Sequence, residues 1–199
     1  MNLPNKITLS RIFMIPIFVA IFFLDRVLPF SYGIAAIVFA LAACTDFIDG
    51  HIARSRGLVT NLGKFLDPIA DKVLVSTAML LLLTMKATLF WQFRCLANGL
   101  YIAMAVCICV IMARELIISA FRQIAATRGL VMAADKLGKY KTTFQDVSIF
   151  VLIFSASLPW NVRKVVTIIG LVLFAVATIL TVWSGISYVV KNKQVLKDE

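Results

Sequence analysis

Six apolar stretches divide this chain: Ile12–Leu24, Ser31–Cys44, Val73–Leu83, Leu96–Ala113, Val147–Leu158 and Val165–Val190. A bilayer span needs roughly 20 residues, so six take about 120 positions. That is close to what a 61% apolar share of 199 residues supplies. Charged residues make up only 15%, against about 25% in soluble domains. The pattern excludes a large soluble domain and predicts an all-α integral membrane protein with six transmembrane helices, organised as a single membrane domain over 1–199. The second, third and fifth stretches are too short alone and must borrow flanking turns that carry charge. Function is expected in those turns. Pro16, inside the first span, marks a kink.

The net charge of +10 is unevenly spread. With the N-terminus placed in the cytoplasm, that side receives thirteen basic residues: Lys6, Arg11, Arg54, Arg56, Lys64, Arg122, Arg128, Lys136, Lys139, Lys141, Lys191, Lys193 and Lys197. The far side receives five, Arg26, Lys86, Arg94, Arg163 and Lys164. The positive-inside rule then puts both termini in the cytoplasm of a multi-pass protein of the inner membrane, and nucleic acid is not an expected partner. The N-terminus lacks a small-residue cleavage site and is not read as a cleavable signal peptide. Cys44, Cys95, Cys107 and Cys109 lie in or beside apolar runs without zinc-site or disulfide spacing, and are expected to be small core residues.

From Thr45 the chain reads TDFIDGHIARSRGLVTNLGKFLDPIADKV. Asp46 and Asp49 are three apart and Asp67 and Asp71 four apart, so on helices each pair shares a face. Four uncompensated aspartates at span ends would cost up to about 10–14 kcal/mol on insertion scales. Clustered carboxylates without histidine suit hard divalent cations, and two ions about 3.5–4 Å apart would suit a polyphosphate substrate. Gly50 and Ala53 remove bulk from the same surface as Asp49, Gly63 does so on the next span, and Arg54 adds a planar fork for phosphate.

Each residue alone has a plainer reading. Gly50 and Ala53 suit close helix packing, and Asp67 before Pro68 suits a helix N-cap with proline at the first helical position. Lys64 and Lys72 suit solvated or snorkelling anchors, and His51 suits the membrane interface. None of these readings accounts for the eight motif positions together.

Asp46, Asp49, Gly50, Ala53, Arg54, Gly63, Asp67 and Asp71 fit D-x2-D-G-x2-A-R-x8-G-x3-D-x3-D without a departure. Eight fixed matches arise by chance at roughly 10⁻¹⁰ per start point. The run resembles the signature of the CDP-alcohol phosphotransferases, membrane enzymes that move a phosphatidyl or similar group from a CDP-linked donor to an alcohol. The resemblance implies that Asp46, Asp49, Asp67 and Asp71 bind two divalent cations, Mg or Mn, with Asp71 also the general base on the acceptor hydroxyl. It implies a CDP-donor site formed by Asp46, Asp49, Gly50, Ala53, Arg54 and Gly63. It further implies a homodimer.

The acceptor is sought outside the motif. Arg114 and Arg122 are eight apart on one expected helix, and Lys139 and Lys141 open the fifth span. Together they are candidates for holding a small dianion. The alternative is that Arg114 pairs locally with Glu115 while the two lysines are interfacial anchors. The stretches NLPNKITLSR, ARELIISAFR and GKYKT resemble the branch of the family that joins CDP-diacylglycerol to glycerol 3-phosphate, with release of CMP. On that resemblance Arg114, Arg122, Lys139 and Lys141 bind the acceptor phosphate, and Thr8 and Arg11 touch its rim. Serine, inositol phosphate or a second phospholipid remain alternative acceptors within the family. An ion transporter using the aspartates as a permeation site is the alternative of a different class.

Overall fold

A computed structural model describes the backbone of residues 3–55, 61–127 and 136–192, and the side chains of 8–45, 66, 68–125 and 138–192. All the regular structure described is helical. Six helices have twenty residues or more: α1 (Leu3–Phe22), α2 (Ser31–Ser55), α3 (Asn61–Thr84), α5 (Ala97–Thr127), α6 (Lys136–Ser155) and α7 (Trp160–Lys191). Between α3 and α5 lie a short helix α4 (Lys86–Phe90) and a 3₁₀ turn η1 (Trp91–Leu96). At 1.5 Å per residue, twenty residues reach about 30 Å, the thickness of a bilayer's hydrocarbon core.

The helices extend the apolar stretches in the direction the charge pattern predicts. Helix α2 continues past Cys44 through the first half of the aspartate motif to Ser55, and α3 begins at Asn61, twelve residues before Val73. Helix α6 likewise starts at Lys136, ahead of Val147. One expectation for Pro68 fails: α3 is already helical at Asn61, so Pro68 lies inside it and Asp67 is not its N-cap. The missing N–H of Pro68 removes one bond from the ladder, which a helix supported by neighbours tolerates.

Packing is tightest between α6 and α7 and between α1 and α2, with α2 also against α6 and α5 against α7. The buried face of α7 reads Thr167, Gly170, Phe174, Ala177, Thr181, Ser184 and Tyr188, spaced three or four apart, with Gly185 beside Ser184. Its outward positions are large and apolar, among them Ile168, Ile169, Val172, Ile179, Val182 and Ile186. Small and hydroxyl-bearing residues therefore face the bundle while bulky aliphatics face outward, the arrangement lipid favours and water does not. Among the described residues two runs, Lys86–Ala125 and Trp160–Lys191, are long and apolar enough to cross a membrane, and only 17% and 28% of their most apolar windows are buried. Thr8–Phe22 and Ser31–Thr45 are shorter apolar helices.

The cysteines are not core residues. Cys44, Cys95 and Cys109 are exposed, and Cys107 is half-buried against the core. When the surroundings are themselves apolar, an apolar residue gains little by turning inward. Phe18, Phe22 and Phe39 form the core between α1 and α2 instead, with Phe18 and Phe39 ring centroids 5.8 Å apart.

Gly170 marks the closest approach of α7 to α6. A Cβ there would lie 2.8 Å from Leu152 Cδ2 and 3.2 Å from Val151 Cγ1. Gly170→Ala should therefore lower stability by about 1–3 kcal/mol through overpacking. The expected result is a lower midpoint of thermal unfolding in detergent, whereas Gly99→Ala, which meets nothing within 4 Å, should leave the midpoint unchanged.

Candidate active site

Charged residues inside apolar helices must find partners, and here they converge on one cavity. It has a volume of about 260 Å³ and is walled by the N-terminal turns of α3 and α6 and the later turns of α5 and α7. Its lining includes the cations Lys72, Arg114, Arg122, Lys139 and Lys141 and the carboxylates Asp71 and Glu115. Cations outnumber anions, so the described wall is electropositive and suits a small, multiply charged anion.

Glu115 organises one side. Its Oε1 accepts from Arg114 Nη1 at 3.1 Å and from Lys141 Nζ. Arg114 Nη2 donates to Ser184 Oγ of α7 at 3.0 Å, and Ser184 Oγ donates in turn to the Thr181 carbonyl at 3.1 Å. A guanidinium on α5 is thereby tied to its own helix and to α7, while the same carboxylate reaches α6. About two turns further along α5, Arg122 Nε donates to Tyr188 Oη at 3.2 Å, and the guanidinium carbon lies 5.4 Å from that ring's centroid. Tyr188 is buried and presents both a polar tip and a π face to the cation. Asn192 caps the wall by donating to the Tyr188 carbonyl at 2.8 Å.

The four residues expected at the acceptor phosphate, Arg114, Arg122, Lys139 and Lys141, thus share one cavity with Asp71. The local Arg114–Glu115 pair also exists, and it orients the guanidinium at the cavity wall rather than removing it. Lys141 is 4% exposed and is not an interfacial anchor, whereas Lys139 is exposed at the mouth. Lys72 does not snorkel either: it donates to Ser119 Oγ across to α5. Thr8 and Arg11 do not form a rim. Both are buried, and Arg11 Nε donates to Thr45 Oγ1 at 3.4 Å, on the residue before Asp46. Arg11 faces α2 from α1, so packing between those helices takes it away from the cavity.

The aspartate motif occupies adjoining ends of consecutive helices, on the last turns of α2 and the first turns of α3. The side chains of Asp46, Asp49, Gly50, Ala53, Arg54, Gly63 and Asp67 lie outside the described residues, as do those of Lys64 and His51. Asp71 is half-buried and lines the cavity. Among the described residues no cluster of three or more metal-ligating side chains occurs. Asp71 nevertheless gives a hard carboxylate oxygen beside an electropositive wall, which fits a divalent cation shared with a phosphate ligand.

Ser119, Ser184 and Tyr188 escape the motif reading. Their signal is positional: Thr181, Ser184 and Tyr188 recur at three- and four-residue intervals in an uncharged span, and such polar positions face the bundle interior.

The family model described as CDP-alcohol phosphatidyltransferase matches residues 1–183. A protein of Bacillus subtilis (strain 168) named CDP-diacylglycerol–glycerol-3-phosphate 3-phosphatidyltransferase is 38% identical over 206 residues, covering 98% of this chain and 97% of its own length. The protein of that name from Escherichia coli (strain K12) is 38% identical over 200 residues, covering 100% of this chain and 98% of itself. That from Salmonella typhimurium (strain LT2) is 37% identical over 202 residues, with the same two coverages, 100% and 98%.

If Glu115 neutralises a buried cation, removing its charge alone should be worse than removing both charges. Glu115→Gln is expected to lower stability by about 1.5–3 kcal/mol. The double variant Glu115→Gln with Lys141→Met should recover part of that loss, read as the unfolding midpoint of each purified variant in the same detergent.

Proposed function

This chain belongs to the CDP-alcohol phosphatidyltransferase family, and from that premise we propose that it transfers the phosphatidyl group of CDP-diacylglycerol to glycerol 3-phosphate, giving phosphatidylglycerophosphate and CMP in phospholipid biosynthesis. One observation carries the choice of acceptor: Arg114, Arg122, Lys139 and Lys141 surround the same small cavity that Asp71 lines. A phosphorylated alcohol brings the negative charge that this wall lacks. The names of the full-length relatives support the same reading.

The chain's own residues divide the work. Arg114 and Arg122, each already braced against α7 by Ser184 or Tyr188, receive the acceptor phosphate with little side-chain entropy left to lose. Lys141 and Lys139 complete the charge balance from α6. With the phosphate fixed, the acceptor hydroxyl is directed toward Asp71, which takes its proton as the oxygen attacks the phosphorus attached to diacylglycerol. CMP leaves with the electrons of the broken pyrophosphate bond. Asp46, Asp49, Asp67 and Asp71 form the proposed ligand set for two divalent cations, Mg or Mn, whose contribution when bound is to neutralise the pyrophosphate. Gly50, Ala53, Arg54 and Gly63 are proposed to line the donor's cytidine and phosphates.

Six spans in one membrane domain, with both termini and the cavity facing the cytoplasm from the inner membrane, form part of the proposal. The thirteen-to-five distribution of basic residues supports it. A homodimer is proposed on family resemblance.

The test is CMP release from CDP-diacylglycerol by the purified protein in detergent with Mg²⁺ or Mn²⁺. Glycerol 3-phosphate should be the preferred acceptor in competition with serine, inositol phosphate and phosphatidylglycerol. Chelation or Asp67→Asn should abolish turnover. Arg114→Ala should lower kcat/KM for glycerol 3-phosphate about a hundredfold, the size expected when charge-assisted hydrogen bonds to a phosphate are lost. A preference for an uncharged acceptor would overturn the assignment of the basic cavity.

A further inference from the structure

The basic cavity has a neighbour. A chamber of about 100 Å³ lies among α3, α5 and α6, and Asp71, Lys72, Glu115, Lys141 and Thr142 line both spaces. Beyond these shared residues its lining steps along each helix away from the basic cavity, from Asp71 to Val75 and Met79, from Glu115 back to Met112, and from Lys141 on to Gln145. The added wall is mostly apolar. Gln145 is the exception: it is 2% exposed, and its Oε1 is buried with no hydrogen-bond partner among the described residues. Its Nε2 has Met79 Sδ at 3.8 Å, a weak acceptor. Long side chains on a helix lean toward its N-terminus, so the Gln145 amide leans back toward Lys141 and the shared wall.

A buried amide set among valine and methionine, with neither end strongly bonded, is unfavourable unless a ligand completes it. We infer that Gln145 determines acceptor specificity, its amide oxygen accepting a hydrogen bond from the acceptor hydroxyl that does not react. The inference rests on the reading given under Proposed function. There, Arg114, Arg122 and Lys139 hold the acceptor phosphate and Asp71 takes the proton of the attacking hydroxyl. Glycerol 3-phosphate carries a middle hydroxyl on the carbon next to the attacking one. Because Asp71 lines both spaces, that middle hydroxyl is placed at the entrance to the smaller chamber. The chamber is well below the roughly 300–1,000 Å³ of a site for a whole ligand, and takes part of the acceptor alone. A site built to bond a substrate hydroxyl rejects the analogue that lacks it, since the buried polar group is then left unpaired. Gln145 therefore selects a phosphorylated diol over a phosphorylated mono-alcohol.

The experiment compares glycerol 3-phosphate with 3-hydroxypropyl phosphate, the same acceptor without the middle hydroxyl, in wild type and Gln145→Met. Methionine keeps the side chain's length and suits the apolar wall. Wild type should prefer glycerol 3-phosphate by at least about a hundredfold in kcat/KM, and Gln145→Met should reduce that preference below about tenfold. The variant's kcat/KM for 3-hydroxypropyl phosphate should stay within about threefold of wild type. A parallel fall with both acceptors would mark a structural role and overturn the inference. A preference unchanged in the variant, or absent from wild type, would overturn it as well. A second measurement needs no variant at Gln145. The chain has four glutamines, Gln92, Gln123, Gln145 and Gln194, so the Gln145 amide is assigned by elimination in nitrogen-15 spectra of glutamine-labelled protein. Saturating glycerol 3-phosphate should shift that signal further than saturating 3-hydroxypropyl phosphate does, and equal shifts would overturn the contact. If wild type released CMP with neither acceptor, the functional reading would fall, and the amide signal would decide the role of Gln145 by itself.

Discussion

A guanidinium and an ammonium remain charged inside an apolar bundle only if an anion stands between them. Glu115 fills that role, receiving Arg114 from its own helix and Lys141 from α6. Ser184 ties the same guanidinium to α7. One carboxylate thus couples three helices, and the polar cavity follows from that coupling. Arginine next to glutamate on one helix would otherwise be an ordinary surface pair of small value. Burial changes its weight, because an unpaired partner would carry the whole desolvation penalty.

The surrounding scaffold is organised for lipid. Helix α7 buries glycine, alanine, serine and threonine at three- and four-residue intervals and turns isoleucine and valine outward. Small inward residues allow the α6–α7 contact at Gly170 and the passage of Arg114 across Gly185. Close approach of backbones and accommodation of a long cationic side chain are thus two uses of the same periodicity. The cysteines show the other side of this rule. Expected inside because they are apolar, three are exposed, since an apolar exterior removes the penalty that sorts such residues in water.

Much of the architecture was legible because membrane spans obey a length requirement. Stretches too short to cross had to recruit charged turns, and α2, α3 and α6 do extend through Asp46, Asp71 and Lys141 respectively. Lys72 and Ser119 were not legible as site residues, because each gains its role only from a partner on another helix, and the spacing of Ser184 and Tyr188 marked an inward face without naming the cations they brace. The Asp67-Pro68 pair misled for a related reason. Its dipeptide suits a helix start, but the neighbouring helices support a helix that runs through it.

By itself the sequence determined the helical class, the apolar spans and the eight-position motif, because these depend on length, composition and spacing along one chain. The tertiary structure decided that Arg114, Arg122, Lys139, Lys141 and Asp71 share a single cavity. It also decided that the local Arg114–Glu115 pair orients the site rather than cancelling it. Electrostatic partnership depends on separation in space and on burial, and neither is set until α3, α5, α6 and α7 have packed.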